Sequence, residues 1–248
     1  MARVIEQSRK NRRHGSGVVL VIAALVLAFV IAAVSAAPRD DVSRSWNALL
    51  PVPEAKLGDS SQCILVVNED ASSPSARVYA LEKQEGAWRS VFSPMEAMIG
   101  KNGFAPPGKK REGDGRTPSG VFKLGTAFGY DPSMETRMPY RQATAEDVWV
   151  DDPGADDYNR WVKKGQTKAA SFELMRREDR LYRHGIVIEY NTNPVVKGHG
   201  SAIFFHVWMN RSESTHGCVA LSEHDMLEIL RWLNPAAKPL VVMGSVKR

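Results

Sequence analysis

The chain has 248 residues, of which 43% are hydrophobic and 25% are charged, so it is ordinary in composition and long enough for one or two globular domains. Its formal net charge is +5, but residues 1–16 alone hold five of the 33 basic and one of the 28 acidic side chains. The remainder is therefore nearly neutral, which removes the main support for a nucleic-acid-binding function.

A basic segment followed by an apolar run opens the chain. Five basic residues precede the uncharged stretch 17–37, which ends in the small residues Val34-Ser35-Ala36-Ala37. This order is typical of a secretory signal peptide at 1–37. The run is also about 20 residues long, the length that spans a bilayer, so an uncleaved N-terminal membrane anchor is the alternative. Both interpretations predict export to the periplasm or cell envelope.

The rest of the chain has the pattern of one mainly β domain. Residues 38–60 are rich in Pro, Asp and Ser, and we expect them to form a linker to a domain at 61–248. Short apolar stretches separated by turn-forming residues predict strands in this domain. They lie at 63–68, 77–82, 87–92, 120–125, 147–150, 185–190, 202–208 and 239–243.

A few helices complete the predicted fold. Near the C-terminus Ser222 is a suitable N-cap, acidic residues follow it, and apolar residues recur at helical spacing until Asn234-Pro235. We interpret the charged stretch 176–180 as the solvated face of another helix. Cys63, at the head of an apolar stretch, is expected to be a strand residue that faces the core.

The segment Ser214-Thr215-His216-Gly217-Cys218 carries the strongest chemical signal. A cysteine with a histidine within reach has the parts needed for thiolate catalysis, because the imidazole can accept the thiol proton. A second histidine, His206, lies on the predicted strand 202–208, where it shares a face with Phe204 and Trp208. The alternative interpretation is a buried structural cysteine.

Two other patterns do not support a further function. The segment Gly103–Lys110 approaches a phosphate-binding loop, but Lys110 stands where the loop needs Ser or Thr, and two prolines remove backbone donors. We therefore interpret it as a surface loop. The histidines lack the paired spacing of zinc ligands, so we expect neither a metal nor a cofactor.

Three segments together resemble a known family. They are Asp114-Gly115-Arg116-Thr117-Pro118-Ser119-Gly120-Val121-Phe122, the strand that carries His206, and Thr215-His216-Gly217-Cys218. In this order they resemble the YkuD-type L,D-transpeptidases of bacterial cell walls, and the resemblance covers about residues 63–243. It implies a mainly β catalytic fold with mixed, sandwich-like sheets. It also implies the 3→3 cross-linking of peptidoglycan stem peptides, or the attachment of other amines to them, by a divergent member. Ala220 stands where the family commonly has Arg or Asn.

The resemblance also implies roles for individual residues. Cys218 is the expected nucleophile. His206 is the preferred general base, because a strand holds its ring in one orientation, and His216 is the alternative base. Gly217 would let the backbone turn so that amide groups at 217–218 face the oxyanion.

Candidate substrate-binding residues lie nearby in the sequence. Arg183, His184 and Arg211 could receive a substrate carboxylate, and Trp208 could support a peptide or glycan chain. Three functions stay open: an L,D-transpeptidase, an L,D-carboxypeptidase or other hydrolase on the same scaffold, and a non-catalytic peptidoglycan-binding domain. The expected partners are peptidoglycan stem peptides, with no nucleic acid and with possible N-terminal membrane association; nothing in the sequence indicates an oligomeric state.

Overall fold

The computed structural model describes residues 46–246, so the predicted signal peptide or anchor at 1–37 lies outside the described residues. Thirteen strands are found between residues 46 and 246. In chain order they are β1 (Gln62–Asn68), β2 (Ser75–Gln84), β3 (Ala87–Ser90), β4 (Met95–Met98), β5 (Gly120–Gly129), β6 (Tyr140–Gln142), β7 (Asp147–Val150), β8 (Trp161–Lys163), β9 (Phe172–Leu174), β10 (His184–Ile188), β11 (Phe204–Val207), β12 (Val219–Leu221) and β13 (Leu240–Ser245).

Few helices accompany these strands. The α-helices of the described chain are α1 (Trp46–Leu49) and α2 (Glu223–Trp232), and 3-10 turns lie at Glu54–Leu57, Lys164–Gln166 and Pro235–Ala237. No helix within 46–246 has the length and apolar character needed to cross a membrane. The prediction of a mainly β fold with a few helices is confirmed.

All eight predicted strands are present, with ends that differ by up to four residues from the expected bounds. The sequence pattern does not predict β4, β6, β8, β9 or β12. Each of these is only three or four residues long, which is too short for an alternating pattern to stand out.

Eight strands form a closed ring. The hydrogen-bonded order β1-β13-β5-β10-β11-β12-β4-β2 returns to its start, because β2 also pairs with β1. Within the ring β1–β13 and β11–β12 are parallel pairs, whereas the other neighbours are antiparallel. Closure satisfies the backbone groups that an open sheet would leave unpaired at its edges.

The interior of the ring is the main core. Every strand of the ring contributes alternate side chains to one buried cluster, for example Ile64 and Val66 from β1 and Phe205 and Val207 from β11. Helix α2 adds an apolar stripe to the same cluster, which includes Ile229. The helix begins as the sequence predicts, because Ser222 Oγ accepts a hydrogen bond from Asp225 N at 3.1 Å.

A second layer covers the outer face of β1. Cys63 is fully buried there with Leu65 and Val67, as expected for a strand residue that faces a core. Residues 46–57 supply part of the cover, including Trp46, whose ring lies edge-on to Tyr79 at 5.4 Å. The described part of the stretch expected to be a linker therefore packs against the domain.

The prediction of a helix at 176–180 is wrong, because this stretch forms turns. Arg180 has a φ of 62°, which is outside the right-handed helical region. Asp179 also holds the turn, since its carboxylate accepts bonds from Arg177 Nε at 3.0 Å and from Leu181 N at 3.1 Å. Two of the charged residues that suggest a helix face, Arg177 and Asp179, instead form an ion pair within a turn.

A separate three-stranded sheet has the order β8-β7-β9, and a buried carboxylate organises it. The side chain of Asp147 is fully buried and accepts bonds from Arg141, Trp161, Lys163 and both the amide and hydroxyl of Thr144, at 2.6–2.9 Å. Burial alone would raise the pKa of Asp147, but these hydrogen bonds together hold the pKa well below its usual value.

We predict that Asp147→Asn lowers the free energy of unfolding at pH 7 by about 3 kcal/mol, because it leaves buried donors facing an amide group. Urea denaturation of the full-length chain measures this change. The difference in the free energy of unfolding between wild type and variant should shrink as the pH falls below about 4. In that range the carboxyl group of Asp147 is protonated in the unfolded chain before it is protonated in the folded one. Asp156→Asn, at a fully exposed position, is the control; equal losses in both variants would contradict the prediction.

Candidate active site

Two of the three segments that carry the resemblance, 114–122 and 215–218, bind the same backbone carbonyl oxygen. The carbonyl oxygen of Cys218 accepts hydrogen bonds from Thr215 Oγ1 at 2.7 Å and from Thr117 Oγ1 at 3.3 Å. Thr117 is fully buried, and its hydroxyl also accepts a bond from Gly100 N at 2.9 Å. The turn at 114–118 is therefore a support for the cysteine loop. A hydrogen bond of Thr215 within its own loop is expected from the sequence, whereas the role of Thr117 is not.

Strand pairing places Cys218 and His206 on the same face. β11 and β12 are parallel, and His206 pairs with Ala220 while Phe205 pairs with Val219. Residues two apart share a face of a strand, so Cys218 lies on the face of Ala220 and hence of His206. Val219 and Leu221 point into the ring. The cysteine and the histidine therefore lie on its outer face, and both line one cleft of about 490 Å³.

The thiol of Cys218 is held as a neutral group. Sγ donates to the carbonyl oxygen of Ala202 at 3.1 Å and accepts from Phe204 N at 3.4 Å. Ala202 has a φ of 52°, a left-handed conformation that costs an alanine of order 1 kcal/mol and is typical of functional sites. Burial, reinforced by the negative charge of Glu173, raises the pKa of the Cys218 thiol well above its ordinary value.

The imidazole of His206 is also neutral and has a fixed tautomer. Nδ1 lies 2.8 Å from the carbonyl oxygen of Val207, which can only accept a hydrogen bond, so Nδ1 carries the proton. Nε2 is therefore the basic nitrogen. Burial lowers the pKa of His206 to about 4, because the protein interior solvates the imidazolium poorly. The Tyr182 ring lies edge-on to the imidazole at 5.2 Å.

Charged side chains of both signs line the cleft. The acidic groups include Glu112, Asp151 and Glu173, and the basic groups include Lys101 and Arg177. Burial raises the pKa of Glu173, whose carboxylate accepts a hydrogen bond from Tyr182 OH. The sequence patterns single out none of these residues. Glu173 and Tyr182 lie in the region 151–183, which lacks a clear periodicity.

Lys110 corrects the interpretation of its segment as a surface loop. Only 4% of Lys110 is exposed, and it lines the cleft beside Cys218. Phe104 and Ala105 of the same segment are buried too. The stretch remains irregular, as predicted, and residues 106–109 are exposed, but its two ends are buried and Lys110 packs into the site.

The remaining residues of the cysteine loop are placed as follows. His216 is exposed and lines the cleft, whereas His206 is only 5% exposed. Gly217 has a φ of 155°, and a Cβ at this position would lie 3.0 Å from the carbonyl oxygen of Arg116. Its amide, expected to face an oxyanion, donates instead to Thr215 Oγ1 at 3.1 Å.

The four candidate substrate-binding residues are spread over two surfaces. Arg183 and His184 do not line the cleft; both bind the carboxylate of Glu223 on α2, with His184 Nε2 at 3.2 Å. Arg211 bonds to Glu96 at 2.8 Å and lines a separate groove of about 760 Å³. Trp208 lines both the groove and the cleft.

One group of three potential metal ligands occurs in the part of the chain that the structure describes. It consists of His224, Asp225 and Glu228, whose ligand atoms lie within 4.8 Å of one another. They lie in the first six residues of α2 and line the groove, not the cysteine cleft. The positive end of the helix dipole disfavours a cation there.

Comparison with known proteins gives a family match. Residues 62–242 match the model of the L,D-transpeptidase catalytic domain, YkuD. Among solved structures the chain is similar to the helical cell shape determining protein Pgp2 from Campylobacter jejuni, with 17% identity and a TM-score of 0.40. That alignment covers 77% of this chain and 50% of the other, so this chain spans half of that structure. A search of curated proteins finds no match.

We predict that Thr117→Val lowers the free energy of unfolding by about 2 kcal/mol, because it keeps the side-chain volume but leaves the buried Gly100 N–H unpaired and removes one of the two hydrogen bonds to the Cys218 carbonyl oxygen. Urea denaturation measures the change. Thr167→Val is the matched control, since its hydroxyl accepts a bond only from Ala169 N in a partly exposed turn. An unchanged midpoint for Thr117→Val would show that the turn does not support the cysteine loop.

Proposed function

The chain belongs to the L,D-transpeptidase catalytic domain (YkuD) family, and we propose that it transfers acyl groups of peptidoglycan stem peptides through a thioester on Cys218. Family membership supports a function related to peptidoglycan, and we propose that the protein acts in the cell envelope. One observation supports the finer proposal. The thiol of Cys218 and the imidazole of His206 lie on the same face of two paired strands and line one cleft.

The first half-reaction forms the thioester. Cys218 Sγ attacks the carbonyl carbon before the terminal D-residue of a stem peptide, and His206 Nε2 accepts the thiol proton as the bond forms. The tetrahedral intermediate then collapses, and the leaving amine takes this proton from the imidazolium. His206 is preferred over His216 as the base, because strand pairing and the Val207 carbonyl fix its ring.

The second half-reaction regenerates the thiol. An amine of another stem peptide attacks the thioester, gives up a proton to His206, and leaves joined to the acyl group by a new amide bond. Water in place of the amine would give hydrolysis, with a shortened stem peptide as the product. The 7% exposure of Cys218 is the observation that favours the third candidate, a peptidoglycan-binding domain in which this cysteine is structural.

We predict that the full-length chain converts tetrapeptide muropeptides to cross-linked dimers, and that Cys218→Ala abolishes this conversion. Mass spectrometry of the products measures it. Cys63→Ala is the matched control. It removes the other buried thiol, which lies on β1 under the second layer and does not line the cleft. Tripeptide without dimer would indicate a hydrolase, and equal, unchanged substrate with wild type and Cys218→Ala would indicate a binding domain.

The pKa of His206 predicts an unusual pH dependence. The base must be neutral to accept a proton, and burial keeps the imidazole of the free enzyme neutral down to about pH 4. We therefore expect the acidic limb of kcat/KM to lie nearer pH 4 than the ordinary histidine value of about 6.5. Measurement of kcat/KM from pH 3.5 to 8 tests this expectation. A limb at the ordinary histidine value would contradict the assignment of His206 as the base.

A further inference from the structure

Lys110 is a buried cation that the proposed reaction does not use. Its ammonium Nζ bonds to Asp114 Oδ1 at 2.7 Å and to the carbonyl oxygen of Arg111 at 2.7 Å. Burial of an ammonium group is costly even when it is paired, and replacing a buried ion pair by apolar groups is often neutral or stabilising. The position of this pair, at the wall of the Cys218 cleft, therefore calls for a role other than stability.

Asp114 links this ammonium to the turn that supports the nucleophile. The same carboxylate accepts bonds from Arg116 N at 2.9 Å and from Arg111 N at 2.7 Å. Arg116 immediately precedes Thr117, whose hydroxyl bonds to the carbonyl oxygen of Cys218. A short path of hydrogen bonds and one backbone residue thus joins Lys110 to the cysteine.

The aliphatic part of Lys110 also lies against the cysteine loop. A Cβ on Gly217 would lie 3.7 Å from Lys110 Cε, and a Cβ on Gly200 would lie 3.1 Å from both Cγ and Cε. Gly217 is the residue directly before the nucleophile. The lysine therefore passes close to two glycine backbones at the cleft that Cys218 also lines.

We propose that Lys110 is a positioning residue for Cys218: with its ammonium fixed by Asp114, its aliphatic chain packs beside the nucleophile loop and its charge favours the thiolate. This inference rests on the proposed function, in which Cys218 is the nucleophile. Lys110 acts from the wall of the cleft and forms no bond with the substrate.

Other charged and titratable groups around the thiol make such a cation useful. Glu173 opposes the thiolate, and the phenol of Tyr182, bonded to Glu173, supplies no positive charge. His206 is neutral at physiological pH. Lys110 and Arg177 are the cations that lower the pKa of Cys218, and Arg177 is already paired with Asp179. Lys110 is similarly paired with Asp114. The positive charge of Lys110 and the negative charge of Asp114 therefore together determine their net effect on the pKa of the Cys218 thiol.

The test is the pH dependence of iodoacetamide alkylation of Cys218 in the full-length chain. Peptide mapping by mass spectrometry separates Cys218 from Cys63, whose pKa burial raises to about 12. The variants are Lys110→Met, which removes the charge at similar volume, Lys110→Arg, which keeps it, and Asp114→Asn, which removes the counter-charge. Lys109→Met is the matched control, because this neighbouring lysine is exposed and does not line the cleft.

The expected effects have opposite signs. A rise of one unit in the thiol pKa removes about nine-tenths of the thiolate at neutral pH, and the greater nucleophilicity of a more basic thiolate restores about threefold. We therefore expect Lys110→Met to slow alkylation at pH 7 about threefold per unit rise in the thiol pKa. Asp114→Asn should instead speed alkylation at pH 7, Lys110→Arg should keep the wild-type rate, and Lys109→Met should leave the rate unchanged.

A purely structural lysine would give a different result. Lys110→Met and Asp114→Asn would then both lower the melting temperature, and in folded samples their alkylation rates would equal the wild-type rate or change in the same direction; this outcome overturns the inference. If Lys110→Met does not fold, the direction of the rate change in Asp114→Asn decides alone. Muropeptide conversion by the wild type is assayed in parallel. Failure of that assay counts against the proposed function, whereas unchanged alkylation rates with an active wild type count against the role of Lys110 alone.

Discussion

The carbonyl oxygen of Cys218 is the point on which the site depends, because two hydroxyl groups from distant parts of the chain bind it. Thr215 belongs to the cysteine loop, and Thr117 to a turn about a hundred residues earlier. A carbonyl held from two directions fixes the peptide plane after the cysteine. The thiol is thereby directed to the outer face of the ring, where His206 lies, while the next residue, Val219, enters the core. The two motifs must therefore occur together for the loop to keep its shape.

Burial of both reacting groups determines the state in which the site rests. In a poorly solvating interior the neutral thiol and neutral imidazole cost less than a thiolate–imidazolium pair. A site in this resting state suits the proposed mechanism, in which the proton moves during the attack. The cations Lys110 and Arg177 line the same cleft. Such an arrangement also protects the thiol while no substrate is bound.

The sequence predicts those parts of the molecule whose determinants are local. Helix α2 has its own cap at Ser222, the long strands show their alternation, and Cys218 and His206 are recognisable from short motifs. The failures share one cause, which is that a tertiary partner decides the outcome. Arg183 and His184 find Glu223 on a helix forty residues away, and Lys110 is buried by glycines of two later segments. Neither set of contacts produces a recognisable pattern in the residues that are adjacent in sequence.

The stretch 151–183 is the least predictable part of the chain, and it contributes several residues to the cleft. The ring supplies the proposed nucleophile and base, and the small sheet that Asp147 organises adds part of one wall beside them. Its strand β9 brings Glu173 to the cleft, and Glu173 binds the hydroxyl of the tyrosine, Tyr182, that packs on the His206 ring. A change in this sheet would therefore alter the polarity around the sulfur without moving the strands that carry it. The strands that carry Cys218 and His206 and the residues that set the polarity around the sulfur thus belong to different segments. A relative could therefore retain both residues on the same ring and still differ in the amine, or water, that completes the proposed reaction.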